Sequence, residues 1–375
     1  MPKKRENGEG TVYFDKQRNK YRAAITDPYG QRLFKRFNTR EEAKDWLTDI
    51  RSQFARDTYV APNDMTISDW IIEWIKTYKA NLRPKSKLQY LQSFSHIEPI
   101  ADMPLQAKSA NLTVQRFLNG LPDTMASSSK YKIYQLLSAA VKKAYMLGII
   151  NKNFMDLVEP PKVTHEEVEI FTQAEIKKIL DYLQNPTTPS RLRRHYAFIL
   201  LAATTGARLG ELLSLRWKNV DTKENTIKIV STLQALPGRP PEDMPTKTAA
   251  GRRYITIPER VTAALLALKK SGKILYMDKL DYVFRTRAGT PFLPSNMRRA
   301  WSVILKGAEV NYKKFHCLRH THATQLLSGG VPLLEVCKRL GHSKPSHTLN
   351  LYGHAIPNMD KMVADQVAKI YEISG

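Results

Sequence analysis

The stretch HCLRHTH (residues 316–322) gathers three histidines, an arginine and a cysteine, and its reading decides what the C-terminal part of the chain is built around. Six of the nine histidines (His316, His320, His322, His342, His347 and His354) fall in this part, which argues for a site. On a helix, His316, Arg319 and His320 share a face, because residues three and four apart stack over one another. His316 and His320 alone would suit two ligands of a zinc ion. Arg319, however, would aim a permanent positive charge at that ion, and no acidic third ligand stands nearby. An anion suits the spacing better, since guanidinium and imidazole donors converge on a phosphate. His320 and His322 then read as structural neighbours of the pocket.

A second arginine stands upstream in TTGARLGELLSLRWKNVD (204–221). Gly206 closes one helix and Arg208 heads the next, where unpaired backbone N–H groups already favour anions. Glu211 lies one turn on and is placed to hold an arginine or histidine from behind. This segment runs from about Ile170 and opens with a capping box, TQAE (172–175). TIKIVST (226–232) and RRYITIP (252–258) read as strands, joined by the proline-rich loop QALPGRPPEDMPTKTAAG (234–251).

Two further segments precede it, and Pro160-Pro161 in the linker EPPKVTHEEVE marks their boundary with it. Near the N-terminus, TVYFD, KYRAAIT and RLFKRF are short β-branched and aromatic runs, with DPYG (27–30) suited to a tight hairpin. A helix follows from the capping box of Thr39 and Glu42, with Ala43, Trp46, Leu47 and Ile50 on one face. Lys20, Arg22, Arg32, Lys35 and Arg36 lie on the strands and read as a DNA-binding face. Residues 56–64, RDTYVAPND, read as a flexible connector. From residue 65 to about 157 the pattern is helical throughout. Trp70, Ile71, Trp74, Ile75 and Tyr78 form a core stripe, and helices are expected near Pro84, near Leu112 and up to Gly148. Lys85, Lys87, Lys130, Lys132, Lys142 and Lys143 would give these helices a phosphate-facing side.

The fold class is therefore α+β and multidomain. A small three-stranded sheet with one helix occupies residues 1–57, an all-helical domain 65–158, and a mainly α domain with a small sheet 169–375. Across 375 residues, 59 basic side chains against 35 acidic ones give a net charge of +24, which calls for a polyanionic partner. No apolar run is long enough to span a bilayer. MPKKRENGEG has no signal-peptide core, and two cysteines make no disulfide framework, so a cytoplasmic, nucleic-acid-bound protein is expected.

TGARLGELLSLRW, HCLRHTHATQLLSGG and LGHSKPSHTLNLYGHAIP, in this order and at this separation, resemble the tyrosine recombinase (phage integrase) family. The helical segment resembles that family's core-type DNA-binding domain, and the first segment resembles the arm-binding domain of phage and conjugative-transposon integrases. The resemblance implies that Arg208 is the first catalytic arginine, that His316 and Arg319 form the H-x-x-R box, and that His342 follows in the LGH motif. It makes Tyr352 the nucleophile and Lys247 the hairpin lysine. Gly251 stands where the family usually has serine, and Pro345 where it has an apolar residue. The implied reaction cleaves and rejoins DNA through a 3′-phosphotyrosyl bond, without metal or cofactor, to integrate or excise a mobile element. The implied partners are core- and arm-type attachment sites, a homotetramer on DNA, an excisionase and a host DNA-bending protein, in a bacterial cytoplasm at the nucleoid. Met359, Met362, Val363, Val367, Ile370 and Tyr371 recur at helical spacing and give a tail helix with an apolar stripe, which packs on its own domain or, as the resemblance implies, docks on a neighbouring protomer. The rival readings are a relaxing enzyme of the type IB topoisomerase kind, a DNA-binding regulator with a vestigial pocket and, more distantly, a zinc hydrolase.

Overall fold

The computed structural model describes residues 9–56, 58–164, 169–246, 248–271, 281–286, 288–343, 345, 364, 367, 368 and 371. Two compact units, residues 1–165 and 166–375, are described separately. Lys247, Tyr352 and most of the expected tail stripe lie outside the described residues; Val367 and Tyr371 are exposed.

The first unit opens with an antiparallel meander of β1 (Thr11–Asp15), β2 (Lys20–Thr26) and β3 (Arg32–Phe37). The β2–β3 turn is built by Asp27, whose Oδ1 accepts the N–H groups of Tyr29 and Gln31 at 3.0 and 2.7 Å, with Gly30 at φ +87°. Helix α1 (Arg40–Ala55) starts at the expected Thr39–Glu42 capping box and lays Ala43 and Leu47 on Ala23 and Ile25. Pairing of Arg22 with Tyr13 and Arg36, of Ala24 with Phe34, and of Thr26 with Arg32 puts these side chains on the opposite, open face. Lys20 shares that face. Lys35 does not: it pairs with Ala23 and falls on the α1 side, exposed at the rim with its ammonium 5.4 Å from the Phe37 ring centre. Neighbours on a strand face opposite sides, so the adjacent Lys35 and Arg36 cannot share a face.

The connector is anchored at both ends instead of being a free tether. Tyr59 packs edge-on against Phe54 at 4.8 Å, while the Ala61 carbonyl accepts from Gln106 Nε2 at 3.0 Å and Asn63 Nδ2 donates to the Ile149 carbonyl. Helices α2 (Ile67–Tyr78), α3 (Pro84–Phe94), α4 (Ala110–Asn119) and α5 (Ser127–Met146) follow, each at an expected place. Trp70, Ile71, Trp74 and Ile75 are buried against Leu136, Leu137 and Ala140 of α5, and Trp70 Nε1 donates to the Ala140 carbonyl at 2.7 Å. Tyr78 ends the stripe outside the core, under the Lys143 ammonium. Lys130 departs from the phosphate-facing expectation. Its ammonium donates to the Leu121 carbonyl at 3.0 Å and lies 3.7 Å from Asp123, so it serves the fold. Lys85, Lys87, Lys132 and Lys142 are exposed.

The second unit begins with α6 (Gln173–Gln184), capped by Thr172 and Glu175, then α7 (Ser190–Arg193), the buried α8 (Tyr196–Thr205) and the short α9 (Leu209–Leu213). Strands β4 (Val220–Asp221), β5 (Thr226–Ile229), β6 (Ser231–Gln234), β7 (Glu242–Pro245) and β8 (Arg253–Thr256) make an antiparallel sheet β4-β5-β8 and a separate β6-β7 pair. Helices α10 (Glu259–Ser271), α11 (Pro294–Gly307), α12 (Cys317–Ser328) and α13 (Leu333–Leu340) complete it. The core centres on Phe171, Phe198, Phe284, Trp301 and Phe315, packed ring to ring, with Trp301 Nε1 donating to the Lys313 carbonyl. The proline-rich loop proves to contain a hairpin: TIKIVST divides at Val230, and Ser231–Gln234 pairs with Glu242–Pro245. Glu-Asp-Met-Pro has little strand propensity of its own. What holds it is tertiary: Asp243 accepts from Arg216 Nη2 and Nε at 2.6 and 3.2 Å. Among the described residues no helix is long and apolar enough to cross a membrane.

Candidate active site

The site is assembled where α8, α9, α12 and α13 meet the end of the sheet. Helix α8 stops at Gly206, whose φ of +61° is the left-handed cap that glycine adopts at least cost. A side chain there would also strike His322 and Leu340, each 2.8 Å from an added Cβ. This close approach leaves the Gly206 carbonyl free for Arg319 Nη1, which donates to it at 2.8 Å, while Arg319 Nη2 donates to the Leu340 carbonyl at 2.8 Å. Arg319 is thereby fixed in the pocket wall, buried to 3%.

Arg208, two residues beyond Gly206, stands at the N-cap of α9 and keeps 42% of its side chain exposed. Its own N–H donates to Glu211 Oε2 at 2.9 Å and its Nη1 to Oε1 at 2.8 Å, so the carboxylate holds both the start of the helix and the guanidinium. Glu211 therefore acts on an arginine, as its place one turn on suggests. A second arginine enters that sequence reasoning passed over. Arg253 Nη2 donates to Glu211 Oε2 at 2.9 Å, its Nε to the Arg339 carbonyl at 2.7 Å, and its Nη1 to the Gly251 carbonyl at 3.1 Å. Burial alone would push the Glu211 carboxyl up; the Arg253 charge, then that of Arg208, overcomes this and holds it below its usual range. A signal for Arg253 was present. It alternates with Ile255 on the inward side of β8, where a charge needs a partner.

His316 caps the N-terminal end of α12, and His320 stands edge-on to it at 4.8 Å, so the expected shared face exists. Burial, then His320, Arg319 and Arg208, push His316 down to about 4, against an opposing pull from Glu211. The His316 residue surface is exposed, so water blunts the burial contribution, and the direction rests on the surrounding cations. His316 is thus a neutral imidazole at pH 7, and a bound anion would raise its affinity for a proton. His322 is structural: it is buried, and its Nε2 accepts from Arg339 Nε at 3.1 Å. Arg339 also donates to the carbonyls of Thr204 and Thr256, tying α13 to α8 and β8. His342 follows the left-handed Gly341 that ends α13, with its N–H on the Cys337 carbonyl at 3.0 Å. Arg208 and Arg319 thus both lie near enough to His316 to act on its charge, and His342 follows the helix whose last carbonyl receives Arg319. At Gly251 an added Cβ would come 2.7 Å from Thr246 Cβ, so glycine lets the turn after Lys247 close on Thr246. Among the described residues no group of three or more His, Cys, Asp or Glu side chains gathers to hold a metal ion.

Residues 169–359, more than half of the chain, match the model of the phage integrase family. The chain belongs to this family. A tyrosine recombinase XerC-like protein of Caldanaerobacter subterraneus subsp. tengcongensis is 28% identical over 92% of this chain and 95% of its own length. In fold, the Tn1549 transposon integrase (residues 82–397 of that protein), solved with a circular intermediate DNA, matches with a TM-score of 0.71 at 20% identity, covering 81% of this chain and 100% of that one. A lambda integrase tetramer bound to a Holliday junction matches at 0.58 and 19% identity, covering 92% and 96%. Arg208, His316, Arg319 and His342 all lie inside the matched region of this integrase-family chain.

Two buried histidines away from the substrate-facing groups are expected to make the second unit acid-sensitive. His195 and His322 are buried, 4% and 8% exposed, and both are pushed from 6.5 down to about 4, by burial first and then by Arg194 and Arg339 respectively. Between pH 6.5 and 4 the unfolded chain takes up protons that the folded chain refuses, so stability falls as pH falls through that window. Each histidine is expected to cost about 2 kcal/mol at pH 5 relative to pH 8. Urea midpoints should drop on acidification, and His195→Phe should flatten the drop; an equal slope in the variant would exclude His195 as a source.

Proposed function

We propose that this chain is a site-specific DNA integrase that breaks and rejoins DNA through a 3′-phosphotyrosyl bond to integrate or excise a mobile element. The convergence of Arg208, Arg319 and neutral His316 on one pocket carries this reading, together with the family match. In the proposed step the Tyr352 oxygen bonds to phosphorus and the bond from phosphorus to the 5′ oxygen breaks. Arg208 and Arg319 neutralise the nonbridging oxygens as charge builds in the pentacoordinate state. His316 takes the phenolic proton, His342 donates to the phosphate, and Lys247 protonates the departing 5′ oxygen. The new phosphotyrosine bond stores the energy of the old one, so a second 5′ hydroxyl reverses the step without ATP, metal or cofactor.

The proposed organisation keeps three domains, 1–57 for arm-type sites, 65–158 for core-type sites and 169–375 for catalysis. Separate apolar clusters in the β-sheet and helical segments of the first unit support it. Arg22, stacked 4.1 Å over Phe34, is the centre of the basic open face offered to arm DNA. A homotetramer working with an excisionase and a host bending protein, at the bacterial nucleoid, completes the reading.

The test is a nicked duplex spanning the joined ends of the element that encodes the chain, incubated with protein and chelator and run on a denaturing gel. A covalent protein–DNA band is expected; no band, or a strict requirement for divalent metal, overturns the reading. Arg319→Lys should cut the rate of band formation by at least about a hundredfold, because a point charge cannot hold the Gly206 and Leu340 carbonyls and a phosphate together. Rates within a few-fold of the parent would place the pocket elsewhere.

A further inference from the structure

We infer that Arg253 is a positioning residue for the cleavage step, holding in register the three segments that carry Arg208, Lys247 and His342; the inference rests on the site assignment above. One buried guanidinium reaches all three. Through Nη2 at 2.9 Å and Nη1 at 3.4 Å it grips Glu211, whose other contacts are the Arg208 backbone N–H and guanidinium. Through Nη1 it holds the Gly251 carbonyl at 3.1 Å, and Gly251 in turn donates its N–H to the Thr248 carbonyl at 3.0 Å. Thr246 Oγ1 donates to that same carbonyl at 3.2 Å, so the residues on either side of Lys247 belong to the turn that Arg253 fixes. Through Nε it holds the Arg339 carbonyl at 2.7 Å, in the last turn before His342.

The backbone has been shaped around this side chain. Gly341 sits at φ +69°, and an added Cβ there would come 2.8 Å from Arg253 Nη1 and 3.0 Å from the Ala250 carbonyl. Only glycine lets the end of α13 lie directly on the guanidinium. The Arg253 guanidinium is committed to Glu211 and to the Gly251 and Arg339 carbonyls, so it acts through the groups it holds. Its fork is the feature that matters. A guanidinium serves three acceptors in three directions in one plane, and an ammonium cannot.

The experiment compares the parent with Arg253→Lys on the nicked duplex, measuring DNA affinity and single-turnover cleavage separately. The second substrate is the same duplex with sulfur replacing the bridging 5′ oxygen, whose thiolate departs without a proton. Arg253→Lys is expected to bind within about threefold of the parent and to cleave the oxygen substrate at least tenfold more slowly. The deficit should shrink several-fold on the sulfur substrate, because misplacing the Lys247 turn no longer matters there. Cleavage of the oxygen substrate within about threefold of the parent overturns the inference in favour of a purely structural ion pair, and an equal deficit on both substrates overturns the hold on the Lys247 turn. If Arg253→Lys unfolds at the assay temperature, the double variant Glu211→Gln/Arg253→Met removes both buried charges and must show the same separation of binding from rate. A parent that forms no covalent band fails the proposed function itself, which is a different result.

Discussion

Tyr352→Phe will bind the nicked duplex with an affinity within about threefold of the parent and will form no covalent complex at all. Affinity for DNA is set by the lysines and arginines that displace counterions from phosphates, and this substitution touches none of them. The reaction, in contrast, depends on one atom. In the proposed step a phenol must lose its proton while attacking phosphorus, with the two arginines and His316 assigned to supply the charge and the acceptor. Without the oxygen, those groups polarise a phosphate that no nucleophile approaches. The experiment needs both readouts, a gel shift for binding and a denaturing gel for the adduct. A residual adduct in the variant would move the nucleophile to another residue; loss of binding would mean that Tyr352 has a structural part. Tyr352 was assigned by its spacing after His342 in a family motif, and this test bears on that assignment directly.

Local chemistry was the legible part of this chain. The capping boxes at Thr39–Glu42 and Thr172–Glu175, the three N-terminal strands and the tryptophan stripe of α2 each follow from contacts between residues close in sequence. Gly206 and Arg208 were legible for the same reason, since a left-handed cap followed by a new helix start is written in adjacent residues. The hairpin β6–β7 was not, because its second strand is held by Arg216 on Asp243, 27 positions apart. Lys35 and Lys130 look on paper like their basic neighbours, and only the pleat of a strand and the nearby Leu121 carbonyl set them apart. Arg253 is the most instructive case. Its partners Glu211 and Arg339 lie 42 and 86 positions away, and no local pattern announces a residue whose work is to join distant segments.

That junction makes Glu211→Ala the most damaging change expected for the fold of the second unit. Glu211 is 3% exposed and its two oxygens receive four donated hydrogen bonds, from the Arg208 backbone, the Arg208 guanidinium and both terminal nitrogens of Arg253. Removing the carboxylate leaves the Arg253 charge buried with only carbonyl partners, and an uncompensated buried charge costs about 3–5 kcal/mol. The loss of the acceptor for the Arg208 N–H frays the start of α9 as well, by about 1 kcal/mol. Glu211→Gln should cost somewhat less, because its amide oxygen still accepts, although the charge is lost and an NH2 group replaces the second acceptor. Arg253→Met should cost nearly as much as Glu211→Ala, since it strands the carboxylate instead. The double variant Glu211→Ala/Arg253→Met should then recover much of the deficit, because neither charge is left alone and what remains is a gap in packing. Urea unfolding of the four variants gives the coupling directly as the departure from additivity. A coupling below about 1 kcal/mol would mean that water or the neighbouring carbonyls already compensate each charge, and that the Glu211–Arg253 pair contributes little to the fold it joins.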